Sequence, residues 1–275
     1  MVGIGPQAGI FAGRRLAYPL SHPCRANIAW SERSQARWGA WMPAYFQDIG
    51  ADSSWPVEAT RRMNRMYRRQ RHIYDGTRRY YLLGRDQMIS RLLPAAGASV
   101  LEIGCGTGRN LVLAARLYPD ARFFGIDVST EMLTTAIAAI SRAGLDRRVR
   151  VAHGDGSAFD PQRSLGIPQF DHVMISYSLS MIPDWRRVLG AAAVHLKPGG
   201  RLHVVDFGRQ RRWPGIARLL LRRWLAMFDV TPRDDLEQAL SVMADRSGAQ
   251  LKFERPFRDY AQYGVLTLPA EPRTP

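Results

Sequence analysis

Lysine and cysteine are the residues that this sequence of 275 residues uses least. Only Lys197 and Lys252 are lysines, so arginine supplies nearly all of the positive charge, and the formal net charge is +15. The two cysteines, Cys24 and Cys105, stand in unrelated contexts, which excludes a disulfide framework and a cysteine-ligated zinc site. We therefore expect no bound metal and a reducing, cytoplasmic compartment.

Long apolar runs are also missing. No run approaches about 18 residues, so we expect no helix that spans a membrane. The first residues, Met1 to Gly13, are apolar before the first arginines come, which is the wrong order for a secretory signal. A hydrophobic content of 46% and a charged content of 23% argue for a folded protein.

The chain divides into three parts by pattern. Residues 1–55 have no sustained period and are rich in Gly, Pro, Ser and Arg, so we expect a poorly ordered N-terminal extension. Residues 56–97 contain one helical pattern over 57–75 and a second over 80–93. We expect these helices to cap the active site of a domain that occupies residues 98–275.

Strand and helix patterns alternate from residue 98 onward, which predicts βαβ units and a parallel sheet. The predicted strands of this part are Ser99–Ile103, Arg122–Asp127, Arg148–His153, Phe170–Ser176 and Arg201–Phe207. The predicted helices are Arg109–Leu117, Thr130–Ala143, Trp185–Leu196, a basic amphipathic helix near 213–228, and Asp234–Arg246. Two terminal strands, Gln250–Glu254 and Gly264–Leu268, suit an antiparallel edge. We therefore predict an α/β, Rossmann-like fold: a mostly parallel seven-stranded sheet with helices on both faces.

A glycine-rich turn follows the first of these strands directly. The segment Glu102–Gly108 reads E-I-G-C-G-T-G and opens a helix. Glycines there let the backbone reach unusual conformations and let a ligand approach closely. The spacing G-x-G-x-G differs from the G-x-G-x-x-G of dinucleotide sites, which disfavours NAD. The second strand ends in Asp127, where an acid can accept both hydroxyls of a ribose, and the third strand leads to Asp155.

These motifs resemble those of class I S-adenosylmethionine-dependent methyltransferases, in the same order. The resemblance implies S-adenosylmethionine (SAM) as cofactor, with Glu102 near its amino group, Asp127 on its ribose and Asp155 on its adenine amine. The cofactor-binding residues that it implies are Arg85, Glu102, Gly104, Cys105, Gly106, Gly108, Asn110, Asp127, Val128, Asp155, Gly156 and Ser176. We expect Cys105 to be a small loop residue, because methyl transfer needs no enzyme nucleophile.

Two segments bear on the methyl acceptor. The loop Ser176–Pro183 lacks the Asn-Pro-Pro-Tyr sequence that many DNA and protein amide methyltransferases carry there, which argues against those substrates. The segment Tyr80–Asp86, Y-Y-L-L-G-R-D, resembles bacterial diacylglyceryl-homoserine N-methyltransferases, which make betaine lipid; the resemblance covers roughly residues 57–268. It implies a lipid amine that becomes the trimethylated betaine lipid. Phosphatidylethanolamine and a soluble metabolite or quinone remain alternative acceptors.

Positive charge is concentrated in two stretches. Residues 55–91 hold ten arginines against three acids, and residues 209–233 hold seven against Asp229. Apolar side chains accompany both stretches, and in the second they are Leu220, Leu221, Trp224, Leu225 and Phe228. This combination suits the anionic inner surface of the cytoplasmic membrane. Nucleic acid is the rival partner for such charge, and the missing Asn-Pro-Pro-Tyr loop argues against it.

The predicted reaction is a direct displacement, in which the main tasks are alignment and desolvation. An ammonium group cannot attack, so a nearby group must accept its proton; the candidates are Tyr74, Tyr80, Tyr81, Tyr177 and Asp206. We predict Tyr74, Tyr81 and Tyr177 as catalytic, because their rings can also hold a cationic product. Arg85 either holds a carboxylate, of homoserine or of the cofactor, or forms a structural salt bridge with Asp86.

Overall fold

One sheet organises the part of the chain that the computed structural model describes, residues 81–270. Its seven strands have the order β3-β2-β1-β4-β5-β7-β6. The strands are β1 Ser99–Ile103, β2 Arg122–Asp127, β3 Val149–His153, β4 Phe170–Ser176, β5 Leu196–Phe207, β6 Gln250–Glu254 and β7 Ala261–Thr267. Strands β1 to β5 pair in parallel, whereas β7 pairs antiparallel with β5 and β6. The predicted sheet, including its antiparallel edge, is therefore confirmed.

Helices cover both faces of this sheet. They are α1 Arg85–Ser90, α2 Arg109–Leu117, α3 Thr130–Arg142, α4 Pro161–Leu165, α5 Trp185–Val194, α6 Gly215–Ala226, α7 Leu236–Ser247 and the short α8 Pro256–Asp259. A 3-10 turn, η1, spans Leu179–Met181. Buried side chains of α1, α2, α3 and α6 form one apolar cluster, and those of α4, α5 and α7 form a second. No helix within residues 81–270 is long and apolar enough to cross a membrane.

Element boundaries differ from the predictions at a few places. The strand predicted from Arg201 begins at Leu196, because Leu196 already pairs with Phe170 of β4; residues 197–200 form a bulge before pairing resumes between Arg201 and His172. Of the second N-terminal helix, predicted over 80–93, the described residues form the helix Arg85–Ser90, and a turn at residues 82–84 precedes it. The extension 1–55, the helix predicted over 57–75 and residues Tyr74 and Tyr80 lie outside the described residues, so the division at residue 98 stays a prediction.

The apolar side chains predicted to face a membrane from 213–228 are divided between two faces of α6. Leu225 is buried, and Leu221, Trp224 and Phe228 pack against the first core cluster, whereas Leu220 is exposed. The predicted apolar face was therefore wrong for most of its members. Its spacing was that of a core-facing stripe, which periodicity alone does not distinguish from a membrane-facing one.

Three polar side chains form a buried hydrogen-bonded row across β4, β5 and β7. His172 Nδ1 lies 3.3 Å from His203 Nε2, and His203 Nδ1 lies 3.1 Å from Tyr263 Oη. Burial lowers the pKa of His172 to about 4 and that of His203 to about 3. The neutral imidazoles thus fill a polar seam in the core without a charge.

We expect this histidine pair to destabilise the fold in acid. Its stabilising contribution is fully present above pH 6.5 and is lost as the pH falls toward 4, because the unfolded chain takes up these protons first. Urea titrations should therefore show that wild type loses stability relative to His172→Gln/His203→Gln, by about 5 kcal/mol between pH 7 and pH 4.5. Glu102 and Asp206 act in the opposite direction, but both proteins share them. A difference that does not change with pH would contradict this expectation.

Candidate functional site

A cavity opens at the carboxyl ends of the central parallel strands. The loops after β1, β2, β3 and β4 line it, which is where open α/β sheets bind ligands. Its lining residues are Ile103, Gly104, Gly106, Asp127, Val128, Met132, Gly154, Asp155, Gly156, Ser176, Tyr177, Ser178, Met181 and Ile182. The structure thus brings seven predicted cofactor-binding residues to one cavity, namely Gly104, Gly106, Asp127, Val128, Asp155, Gly156 and Ser176.

The turn after β1 depends on glycine for two different reasons. Gly104, Gly106 and Gly108 have φ angles of +73°, +54° and +75°, a region that side chains disfavour. A Cβ on Gly104 would lie 2.6 Å from the Cβ of Ser178, so this glycine allows two loops to touch. A Cβ on Gly106 would meet no protein atom within 4 Å. Gly106 therefore leaves open space at the cavity that a ligand can fill.

Asp127 holds this turn in place. Its Oδ2 accepts a hydrogen bond from the Gly106 amide at 2.8 Å, and its Oδ1 accepts one from the Ser129 amide at 2.8 Å. A carboxylate oxygen can accept more than one hydrogen bond. Asp127 therefore positions the glycine turn while it also lines the cavity.

Glu102 is a buried carboxylate next to this turn. Its Oε1 accepts a hydrogen bond from Asn110 Nδ2 at 2.8 Å, while its Oε2 is buried without a hydrogen-bond partner. Burial raises the pKa of Glu102 to about 8, although Asn110 and the charge of Arg85 oppose this rise. Buried polar atoms in native proteins are nearly always satisfied, so the unmatched oxygen calls for a cationic or hydrogen-bonding partner.

For Arg85 the sequence left two roles open, binding a carboxylate of a ligand or pairing with Asp86. The buried Arg85 donates from Nε to the Leu82 carbonyl at 3.3 Å, and its charge acts on Glu102. Asp86 pairs with Arg109, at 2.9 Å between Nη1 and Oδ1. The position of Arg85 beside the motif carboxylate is compatible with a role in holding the cofactor.

The loops after β3 and β4 form the opposite wall. Asp155 Oδ1 accepts hydrogen bonds from the amide and the hydroxyl of Ser157, both at 2.8 Å. A Cβ on Gly156 would lie 2.5 Å from Ile103 Cγ2, so glycine is needed for this loop to approach β1. The Ser176 hydroxyl oxygen is buried without a hydrogen-bond partner. Together with Glu102, it is a second unmatched polar group near the cavity.

The environment of Cys105 disfavours a reactive thiolate. It is buried, its thiol is free, and burial raises its pKa well above the ordinary value. A Cβ placed on Gly125 would lie 2.9 Å from Cys105 Sγ, so the thiol packs tightly against β2. This environment is that of a small packing residue.

The two described tyrosines of the predicted catalytic set differ in their surroundings. Tyr177 contributes to the cavity wall, but its ring is buried and its hydroxyl donates to the Leu83 carbonyl at 2.5 Å. Burial raises its pKa well above the ordinary value, so the hydroxyl group stays protonated and no phenolate is available to accept a proton from an amine. Tyr81 is half-buried, and its ring makes an edge contact with Trp224 at 5.0 Å between centroids.

Residues far along the chain fix the loop after β4. Asp206 Oδ2 accepts from the Ser180 amide at 3.0 Å, and Oδ1 accepts from the Phe207 amide at 2.7 Å. Arg233 donates to the carbonyls of Leu179 and Ile182, at 3.0 and 2.8 Å. Burial raises the pKa of Asp206 to about 6, although these amide hydrogen bonds oppose the rise. Asp206 thus positions the cavity wall, and no sequence motif had indicated this role for Arg233.

The fold and the cavity can now be compared with those of known proteins. The strand order, the glycine turn after β1 and the acid after β2 are those of the Rossmann-like class I methyltransferases, and solved structures of that fold match over most of the described chain. Residues 101–202 match the model of a family described as a methyltransferase domain. This part of the chain, which runs from within β1 to the middle of β5, is therefore similar to that methyltransferase domain. No group of three or more His, Cys, Asp or Glu side chains suited to a metal ion occurs within residues 81–270.

Two curated relatives illustrate the range of similar proteins. A demethylmenaquinone methyltransferase of Listeria monocytogenes serotype 4a (strain HCC23) is 32% identical over 112 residues, which cover 40% of this chain and 45% of the relative. The O-methyltransferase cnsE of Penicillium expansum is 30% identical over 152 residues, which cover 54% of this chain and 52% of the relative. The chain thus spans about half the length of the curated relatives it matches.

Solved structures share the fold at low identity. A chain from the complex of the Haloferax volcanii Trm112 methyltransferase activator with a methyltransferase superposes with a TM-score of 0.60 at 14% identity, covering 77% of this chain and 99% of that one. A Haemonchus contortus phosphoethanolamine N-methyltransferase, solved with S-adenosylhomocysteine, gives 0.53 at 17% identity, covering 68% and 53%. Both likenesses concern the fold.

A matched pair of glycine substitutions separates backbone strain from ligand space. Gly106 and Gly248 have similar φ angles, +54° and +59°, and a Cβ on either meets no protein atom within 4 Å. We expect Gly106→Ala and Gly248→Ala each to lower the free energy of unfolding by about 1–2 kcal/mol, the cost of a left-handed L-residue. Gly106→Ala alone should lose affinity for SAM, measured by calorimetric titration, because its methyl group enters the cavity. Equal affinity in both variants would mean that Gly106 does not face the ligand.

Proposed function

We propose that this protein is a SAM-dependent methyltransferase (EC 2.1.1 class) that N-methylates a lipid amine, with diacylglyceryl-homoserine as the acceptor and the trimethylated betaine lipid as the product. The observation that carries the cofactor assignment is the unmatched Glu102 Oε2, buried beside a glycine turn that leaves open space at Gly106. A buried acceptor oxygen and a cavity rimmed by acids fit a cofactor with an ammonium group, a ribose and an adenine amine.

The residues at the cavity fit this cofactor part by part. Glu102, with Arg85 and Asn110 behind it, would hold the methionine part, and Asp127 would accept from the ribose hydroxyls. Asp155, followed by Gly156, would accept from the adenine amine. The cofactor supplies an activated methyl group on a sulfonium centre. The protein's own contribution is to align the acceptor and exclude water, for which the walls at Met181 and Ile182 provide apolar surface.

An aromatic row runs from the cavity wall into the core. Tyr177 packs on Phe207 with centroids 4.7 Å apart, Phe207 on Tyr260 at 5.9 Å, and Tyr260 on Trp213 at 5.5 Å. Tyr177 is the member of this row that lines the cavity, so its ring is the one that we propose to attract a cationic ammonium group by cation–π interaction. The lipid assignment itself rests on the sequence resemblance of Tyr80–Asp86 and on the basic, apolar surface of α6.

Three tyrosines are proposed to serve the acceptor. Tyr81 has the most suitable described surroundings, because it is half-buried and borders Trp224 of α6. Tyr177 contributes its ring, since its hydroxyl is occupied by the Leu83 carbonyl. Tyr74 is proposed from the sequence alone. We place the protein in the cytoplasm, at the anionic inner face of the cytoplasmic membrane, where a lipid amine is accessible.

A second acceptor class is favoured by a specific similarity. The Listeria relative that is 32% identical over 112 residues is a demethylmenaquinone methyltransferase, so methylation of a quinone is the alternative. Phosphatidylethanolamine and a soluble metabolite remain further alternatives. Methylation of either would use the same cofactor site, and only the pocket that binds the acceptor would need to differ.

Cofactor binding should release a proton at pH 7. Because Glu102 has a pKa of about 8, it is mostly protonated in the free protein, and it must ionise to pair with an ammonium group. Calorimetric titrations with SAM in buffers of different ionisation enthalpy should report roughly one proton released. Glu102→Gln keeps the shape of the side chain and should bind more weakly with no proton release. The same release in Glu102→Gln would remove this residue from the binding site.

A methyl-transfer assay with labelled SAM tests the acceptor. Separate liposomes should carry diacylglyceryl-homoserine, phosphatidylethanolamine or demethylmenaquinone. We expect label in the homoserine lipid and in its trimethylated product. Asp127→Ala serves as the control, and its affinity for SAM should fall by about 1–3 kcal/mol because charge-assisted hydrogen bonds are lost. Label confined to another lipid would reassign the acceptor, and SAM binding without any transfer would overturn the lipid proposal.

A further inference from the structure

Helix α6 is apolar on two opposite sides. Its inner side, with Leu221, Trp224 and Leu225, packs on the first core cluster. Its outer face, which we define as Ile216, Leu219, Leu220 and Met227, is between 52% and 76% exposed. With 3.6 residues per turn, these four side chains fall within an arc of about 100°. A surface helix of a water-soluble protein normally presents polar residues there, so this face calls for a partner.

An exposed arginine lies within this outer face, and two more precede the helix in the chain. Arg211, Arg212 and Arg223 are exposed, and none of these three forms an ion pair with another residue of the range 81–270. Arg223 projects from within the apolar arc, where its long stem can lie along apolar surface while its guanidinium reaches polar groups. The face therefore offers a short apolar stripe among positive charges.

We propose that the outer face of α6 docks into the headgroup region of an anionic lipid bilayer, with the helix lying in the plane of the membrane. Charge complementarity selects this occupant. In a twofold dimer the same face would meet itself, which would place Arg223 of both copies in one interface. Anionic headgroups instead neutralise the arginines while the four apolar side chains enter the boundary with the acyl chains.

Hydrogen bonds connect this helix to the cavity wall. Arg222 of α6 donates to Asp234 through Nη2 and Nη1, at 2.7 and 3.1 Å. One residue before Asp234, Arg233 donates to the Ile182 carbonyl, and the Thr231 amide donates to the Ser180 carbonyl at 2.8 Å. A bilayer bound to α6 is thereby held at a fixed place relative to the cavity. The presentation of a lipid acceptor rests on the proposed function, whereas the docking itself does not.

Vesicle sedimentation with the full chain tests the docking surface. Wild type should bind vesicles of phosphatidylglycerol and phosphatidylcholine, and bind pure phosphatidylcholine less, with binding that weakens as salt is added. Ile216→Ser/Leu220→Ser should weaken binding at least tenfold. The matched control is Leu117→Ser/Ile137→Ser, on α2 and α3, whose side chains are both 51% exposed, and it should bind as wild type does.

A charge variant and a cofactor titration complete the test. Arg223→Gln should reduce the preference for anionic vesicles, whereas Arg142→Gln, on another exposed surface, should keep it. All four variants should bind SAM as wild type does, so that a failure of docking is distinguished from a failure of the proposed function. Wild type that ignores anionic vesicles, an Ile216→Ser/Leu220→Ser variant that binds them normally, or a dimer that this variant dissociates would each overturn the proposal.

Discussion

The hydrogen bond from the Gly106 amide to the Asp127 carboxylate is the interaction on which the rest of the site depends. It ties the turn after β1 to the end of β2, and the amides of Gly104 and Cys105 reinforce it by donating to the Ile126 carbonyl, at 2.9 and 3.0 Å. Because β1 lies between β2 and β4, this fixed turn also sets the position of the Ser178 loop that touches Gly104. The cavity exists because these loops are held together without side chains between them.

Asp206 and Glu102 are both buried acids near the cavity, but their carboxyl oxygens differ in hydrogen bonding. Both Asp206 oxygens accept backbone amides, so this carboxyl group is satisfied by the fold itself. Glu102 is as deeply buried, yet one of its oxygens has no partner. Leaving a buried acceptor unmatched costs free energy that a purely structural residue would avoid. The contrast supports a binding role for Glu102 and a positioning role for Asp206.

The sheet and most of the cavity could be predicted because their signals are local. The strand Ser99–Ile103 is marked by the apolar residues Val100, Leu101 and Ile103, and the glycine turn follows it directly. Asp127 likewise stands at the end of β2. The anchoring of the loop after β4 could not be predicted, since Arg233 reaches Leu179 across 54 residues of sequence and Asp206 reaches Ser180 across 26. Periodicity carries no information about such long-range polar contacts. The hydroxyl bond of Tyr177 to Leu83, across 94 residues, was beyond reach for the same reason.

Helix α6 shows the same limit for surfaces. Apolar residues occur around nearly the whole circumference of this helix. Its sequence alone therefore does not show which side faces the core. The fold resolves this ambiguity because Leu221, Trp224 and Leu225 cover the core and cannot also face a membrane. What remains outside is Ile216, Leu219, Leu220 and Met227, four side chains that contribute nothing to the core and expose apolar surface to water. Since water disfavours such a face and the neighbouring arginines disfavour a second copy, an anionic and partly apolar surface is the partner whose physical chemistry matches both features.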